Sequence, residues 1–309
     1  MFKKFFFGLV FSLFFTGFAA AKPVVVASIA PIGFFVEQIA GQSVEVISLA
    51  SGDVHNYEPK PNDMKNIAKA KIFFATGVEF ESAWIPRFKA NSKDLVVVQT
   101  DAKIAKLKDE HEHAEHEQEH GEHAHEKEHA EHEHEHAEHE THAEDEKMQH
   151  KDPHVWLNPM LALTQAKNIC DALIDAFPEN KDKYLTNLQT FMDKVLELDE
   201  KANNDFKALK NRKFIVYHPA WAYFAARYDL EQISIEINGK EPKIDDLANV
   251  VKLIKDNEIK VIFADPNRSQ KSAMILAKQT GAKLELLDPL AKNWLENLQN
   301  AIAAIKNAN

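Results

Sequence analysis

Three histidines and one aspartate hold most of the chemistry in this sequence. Of its 16 histidines, 12 crowd between His111 and His142; the others are His55, His150, His154 and His218. His55 comes after a Ser51-Gly52 turn. His154 stands in Asp152-Pro153-His154-Val155-Trp156-Leu157-Asn158-Pro159, where Asn158 suits a helix N-cap and Pro159 the first helical position. His218 directly follows the apolar run Phe214-Ile215-Val216-Tyr217, and Asp288 directly follows the run 284–287. Three neutral imidazoles and one carboxylate form a four-coordinate donor set suited to Zn²⁺. His150 is a spare that either belongs to the crowded tract or replaces His154. Glu58 and Asp152 neighbour two of the ligands and are candidates to fix imidazole tautomers; solvated loop acids are the alternative reading. The single cysteine, Cys170, excludes an intramolecular disulfide and any multi-cysteine metal site. A zinc hydrolase would need an open coordination position with a general base beside it, and no HExxH motif is present outside the histidine-rich 109–150 tract.

Ligands in open α/β sheets gather beyond the carboxyl ends of the strands, and the sequence has the rhythm for such sheets. Short β-branched runs at 24–28, 44–49, 72–76 and 95–99 alternate with helical patterns at 32–40, 62–70, 80–89 and 160–177. The second half repeats the scheme, with strands at 214–217, 232–237, 261–264 and 284–287 and helices near 221–228, 244–257, 270–280 and 294–306. The expected class is α/β: two lobes, each a four-stranded parallel sheet flanked by helices, joined by one long rigid helix. The lobes span 22–178 and 211–309. Between them, 179–210 has no Gly or Pro, and Leu185, Leu188, Met192, Val195 and Leu196 recur on one face. Two of the four candidate ligands come from each half, so the corners of facing lobes would line one cleft.

The formal charge of −11 is local, because 109–150 holds 17 acidic and two basic side chains and the rest carries a small positive excess. That balance speaks against a nucleic-acid partner. The 109–150 segment is too polar and too biased to pack, so a disordered insert is expected there. Its His111, His113, His116, His120, His123, His125, His129, His132, His134, His136, His139 and His142 are candidate weak auxiliary metal positions. Residues 1–21 run from Lys3 and Lys4 through an apolar stretch to Ala19-Ala20-Ala21, the order of a cleaved secretory signal.

Several segments together carry a resemblance: His55-Asn56-Tyr57-Glu58-Pro59-Lys60-Pro61-Asn62-Asp63, Thr76-Gly77-Val78-Glu79-Phe80-Glu81 with Trp84, Asp152-Pro153-His154-Val155-Trp156-Leu157, Tyr217-His218-Pro219-Ala220, Ile262-Phe263-Ala264-Asp265 and Leu287-Asp288-Pro289-Leu290. The sequence resembles the metal-binding solute-binding proteins of bacterial ABC transporters, specifically the zinc-type (ZnuA-like) branch, from Val24 almost to the C-terminus. The resemblance implies a non-enzymatic periplasmic receptor that captures Zn²⁺ between its lobes and delivers it to a permease in the inner membrane, with a monomer expected. It implies His55, His154 and His218 as ligands and matches Asp288 to a carboxylate position whose contact varies among zinc-type members. Manganese-type relatives place glutamate where this chain has His218, and imidazole favours zinc. Histidine-rich loops at the place of the acidic tract also resemble the zinc-type branch. A manganese- or iron-type receptor, and an exported metal buffer or adhesin, are the alternative readings.

Overall fold

In the computed structural model, residues 21–52, 54, 57–108, 151–236 and 240–308 are described. The expected signal segment (apart from Ala21), His55 and the histidine-rich tract, including His150, lie outside them. The first sheet comprises β1 (Val24–Ile29), β2 (Glu45–Ala50), β3 (Ala70–Ala75) and β4 (Val96–Gln99), all parallel in the order β2-β1-β3-β4. The second repeats this topology as β6-β5-β7-β8, from β5 (Lys213–Val216), β6 (Glu231–Ser234), β7 (Val261–Ala264) and β8 (Lys283–Leu286). Each order reverses once, between β1 and β3 and between β5 and β7. Beyond the carboxyl ends at such a reversal the crossovers diverge and leave a crevice.

Nine helices are assigned among the described residues: α1 (Ala30–Ala40), α2 (Pro61–Lys69), α3 (Glu79–Asn91), α4 (Pro159–Ala176), α5 (Lys181–Phe206), α6 (Ala222–Arg227), α7 (Ile244–Asp256), α8 (Lys271–Thr280) and α9 (Trp294–Ala308). None of them is long and apolar enough to cross a membrane. One apolar core runs from the first sheet through α1, α4 and α5 to one face of the second sheet; the other face, with Ile215, Ile262, Ile254 and Leu276, forms a separate core.

The long connector differs from expectation in extent and in facing. A 3-10 turn at Pro178–Asn180 precedes α5, which ends at Phe206, short of the expected 210. Phe206 packs edge-on against Phe224 and Tyr228 and fixes that end. The chain then turns into β5, with Asn211 Oδ1 accepting the Lys213 N–H at 3.0 Å. The 26-residue helix is about 39 Å long at 1.5 Å per residue. Its buried positions are Tyr184, Phe191, Val195, Leu198, Asp199, Ala202 and Phe206, while Leu185 and Leu196 remain 44% and 43% exposed. The aromatic side chains bury more area than the leucines and set the rotation of the helix. Asp199 on the buried face accepts Arg227 Nε at 2.8 Å and the Tyr228 hydroxyl at 3.0 Å, which ties the connector to α6.

Glu81 on α3 reaches back to the end of β3, where the Thr76 and Gly77 N–H groups donate to its two oxygens at 2.9 and 2.8 Å. Gly77 has φ +82°, which a side chain would resist. Burial pushes the Glu81 carboxyl up to about 7, against the lowering effect of those bonds. The folded protein therefore holds this proton to higher pH than the unfolded chain does. Stability from this group is expected to fall as pH rises from about 4.5 to about 7 and then level off, a change on the order of 3 kcal/mol. Denaturant unfolding at pH 5 and pH 8 checks this: Glu81→Gln should shrink the difference between the two pH values, and an undiminished difference assigns it to other groups.

Candidate metal centre

His154 is held by its own loop. Asp152 Oδ1 accepts both the His154 main-chain N–H at 2.8 Å and the ring Nδ1–H at 2.7 Å. The next residues form a 3-10 turn, Val155–Leu157, and Asn158 caps α4 by accepting the Met160 N–H at 2.9 Å. Trp156 is buried behind the histidine and donates Nε1–H to Pro289 O at 2.7 Å, while Trp294 Nε1–H donates to Trp156 O at 2.8 Å. This loop is thus pinned from the second half of the chain on both sides.

His218 lies two residues beyond β5. Its Nδ1 meets Glu236 Oε2 at 2.6 Å, and Glu236 Oε1 accepts Arg268 Nη1 at 3.0 Å. Any metal bound by either ring would take Nε2, because both Nδ1 atoms engage carboxylates. The two rings lie 5.4 Å apart between centroids, inclined at 73°. They line one open cavity, together with Gly52, Val54, Asp265 and Arg268. Register explains why Asp265 is there: Val216 pairs with Phe263 across the reversal, and His218 and Asp265 lie two residues further along each strand. Gly52 and Val54, which follow β2, are contributed by the first half of the chain.

Asp288 stands beside this group and is not one of the cavity's lining residues. Its Oδ1 accepts the Leu290 N–H at 2.8 Å and Asn267 Nδ2 at 3.1 Å, while the Asn267 main-chain N–H donates to Asp265 at 2.7 Å. Burial raises both carboxyls, and the charge of Asp288 raises Asp265 further. A cation nearby would relieve both. Glu58 is exposed. Among the described residues, no three His, Cys, Asp or Glu side chains are close enough to hold an ion. The structure therefore brings together His154 and His218, each with a carboxylate on Nδ1, and leaves Asp288 adjacent.

Asp152 occupies the place expected of an acceptor for His154. Glu236, Arg268 and Asp265 escaped the sequence reading as site residues. Asp265 had a usable signal, since it ends a β-branched run just before a proline, and Glu236 is an acid between Ile235 and Ile237. Arg268 had none.

The family described as zinc-uptake complex component A, periplasmic, matches residues 25–308. The zinc-binding protein AdcA of Streptococcus pyogenes serotype M3 is 32% identical over 281 residues, covering 88% of this chain and 51% of the relative. The high-affinity zinc uptake system protein ZnuA of Bacillus subtilis is 32% identical over 270 residues, covering 86% of this chain and 78% of the relative. A crystal structure of ZnuA superimposes with a TM-score of 0.78 at 32% identity, covering 93% of this chain and 99% of that one. The chain spans about half the length of the streptococcal relatives it matches.

Proposed function

The chain belongs to the zinc-uptake complex component A family, and from that premise we propose that it is an exported receptor that captures Zn²⁺ between its lobes and delivers it to an ABC importer. A component of an uptake complex binds and transfers its cargo without chemical conversion. The observation that carries the reading is the pair of imidazoles from the two halves of the chain, 5.4 Å apart in one cavity, each with a carboxylate on Nδ1. Carboxylate–imidazole–metal arrangements fix the tautomer and raise ligand basicity. We assign His55, His154 and His218 as ligands, Asp288 as the fourth donor, Asp152 and Glu58 as supporting acceptors, and zinc over manganese because nitrogen donors dominate. The lobes at 22–178 and 211–309, the connector at 179–210, a cleaved signal at 1–21, a periplasmic location, an inner-membrane permease partner and a monomeric state belong to the same proposal.

The tract histidines, from His111 to His142, are proposed as weaker auxiliary zinc sites, separate from the cleft. Zinc titration against a competing chelator, with intact and tract-deleted protein, is the test. One tight site should survive deletion of 109–150, and the additional capacity should vanish with it. Imidazole must be neutral to bind metal, and its ordinary pKa is about 6.5, so the additional capacity should shrink between pH 7.5 and pH 5.5. Loss of the tight site on deletion would place a tract histidine among its ligands and refute the assignment.

A further inference from the structure

The two histidines are held in different charge environments, and one guanidinium makes the difference. Asp152 takes the His154 main-chain and ring N–H groups on a single oxygen. Glu236 divides its oxygens between His218 and Arg268, at 2.6 and 3.0 Å. Arg268 Nε also lies 3.7 Å from Asp265 Oδ2, so the cation stands between two carboxylates. The Glu236 and Arg268 side chains are only 3% and 16% exposed, and Arg268 lines the same cavity as both histidines. A carboxylate strengthens an imidazole as a metal ligand, and a cation on that carboxylate takes part of the strengthening away. A fixed positive charge in the wall also repels a dication, with little screening from water or salt at this depth.

We propose that Arg268 limits the affinity of the zinc site: it positions Glu236 against His218 while its charge keeps zinc bound more weakly, and released faster, than the ligands alone would dictate. The inference rests on the reading that His218 is a zinc ligand. It also fits that reading, because a receptor that hands on its cargo must let go.

The experiment is zinc competition on the full chain, with a chelator strong enough to strip the weak sites, followed by release into excess chelator. Arg268→Gln should bind zinc at least about tenfold more tightly and release it correspondingly more slowly. Arg268→Lys, which keeps the charge, should stay within about threefold of the parent. Glu236→Gln leaves the cation and removes the anion, so binding should weaken by at least about tenfold; the double variant Glu236→Gln/Arg268→Gln should return to within about threefold of the parent. A residue serving only to keep the fold together would weaken binding when replaced, so unchanged or weaker binding in a folded Arg268→Gln protein overturns the proposal. Should that variant fail to fold without metal, Glu236→Gln decides: binding equal to or tighter than the parent overturns it. His218→Ala separates the two levels. If it leaves affinity unchanged, the site itself is misassigned; if it weakens binding while Arg268→Gln does not tighten it, only the role of Arg268 falls.

Discussion

Replacing His154 and His218 together with alanine is expected to raise the zinc dissociation constant by at least about a hundredfold, with at least about tenfold from each single change. Each ring comes from a different half of the chain, and each is fixed through Nδ1 by a buried or nearly buried carboxylate. Removing one imidazole therefore deletes one of the two nitrogen donors that the described residues bring to the cavity. The measurement belongs in a background lacking 109–150, so that the histidine-rich segment contributes no signal. Affinity that survives the double replacement would put the tight site elsewhere in the protein. Melting curves of the metal-free variants guard against misreading a folding defect.

Trp156→Ala is expected to cost about 3–5 kcal/mol of stability, the range for removing a large aromatic side chain from a packed core. Trp156 is fully buried and donates to Pro289 O at 2.7 Å, so truncation also leaves a buried carbonyl without this donor. Trp156→Phe keeps most of the volume and loses the hydrogen bond, so its cost should be about 1–2 kcal/mol. Denaturant midpoints of the three proteins, measured without metal, provide the comparison. A Trp156→Ala protein as stable as the parent would mean that the loop carrying His154 does not depend on this contact. Zinc affinity of the alanine variant should also drop, because Trp156 lies two residues from His154 in the turn that fixes that ring.

The fold was legible because most strands are short apolar runs rich in Val, Ile or Phe and most are followed by helical patterns, so the period of the sequence changes where the structure does; β8, Lys-Leu-Glu-Leu, carries no β-branched residue. The two reversals could not be read, since they depend on which strands pair. Asp265 and Arg268 went unread as site residues for that reason: they reach the site only because β7 lies beside β5. Glu236 follows β6 and meets His218 through the β5–β6 pair. The apolar face of the connector is legible in part: Val195 is buried and Leu188 packs against the core, whereas Leu185 and Leu196 are exposed because Tyr184, Phe191 and Phe206 set the rotation. That His154 and His218 share one cavity was expected from their local context, whereas the placement of Asp288 beside that cavity was not.

The histidine-rich segment enters and leaves the fold through a closed base. Lys108 and Lys151 form an antiparallel bridge, and the Asp152 N–H donates to Leu107 O at 3.1 Å. The Tyr223 hydroxyl accepts the Leu107 N–H and donates to Asp152 O, both at 2.8 Å. The two flanks of 109–150 are thus fastened to each other and to α6. Closing a flexible loop twice as long costs only about 0.6 kcal/mol more. With such a base, changing the number of residues between 108 and 151 is expected to leave the ring of His154, three residues past the bridge, where it is.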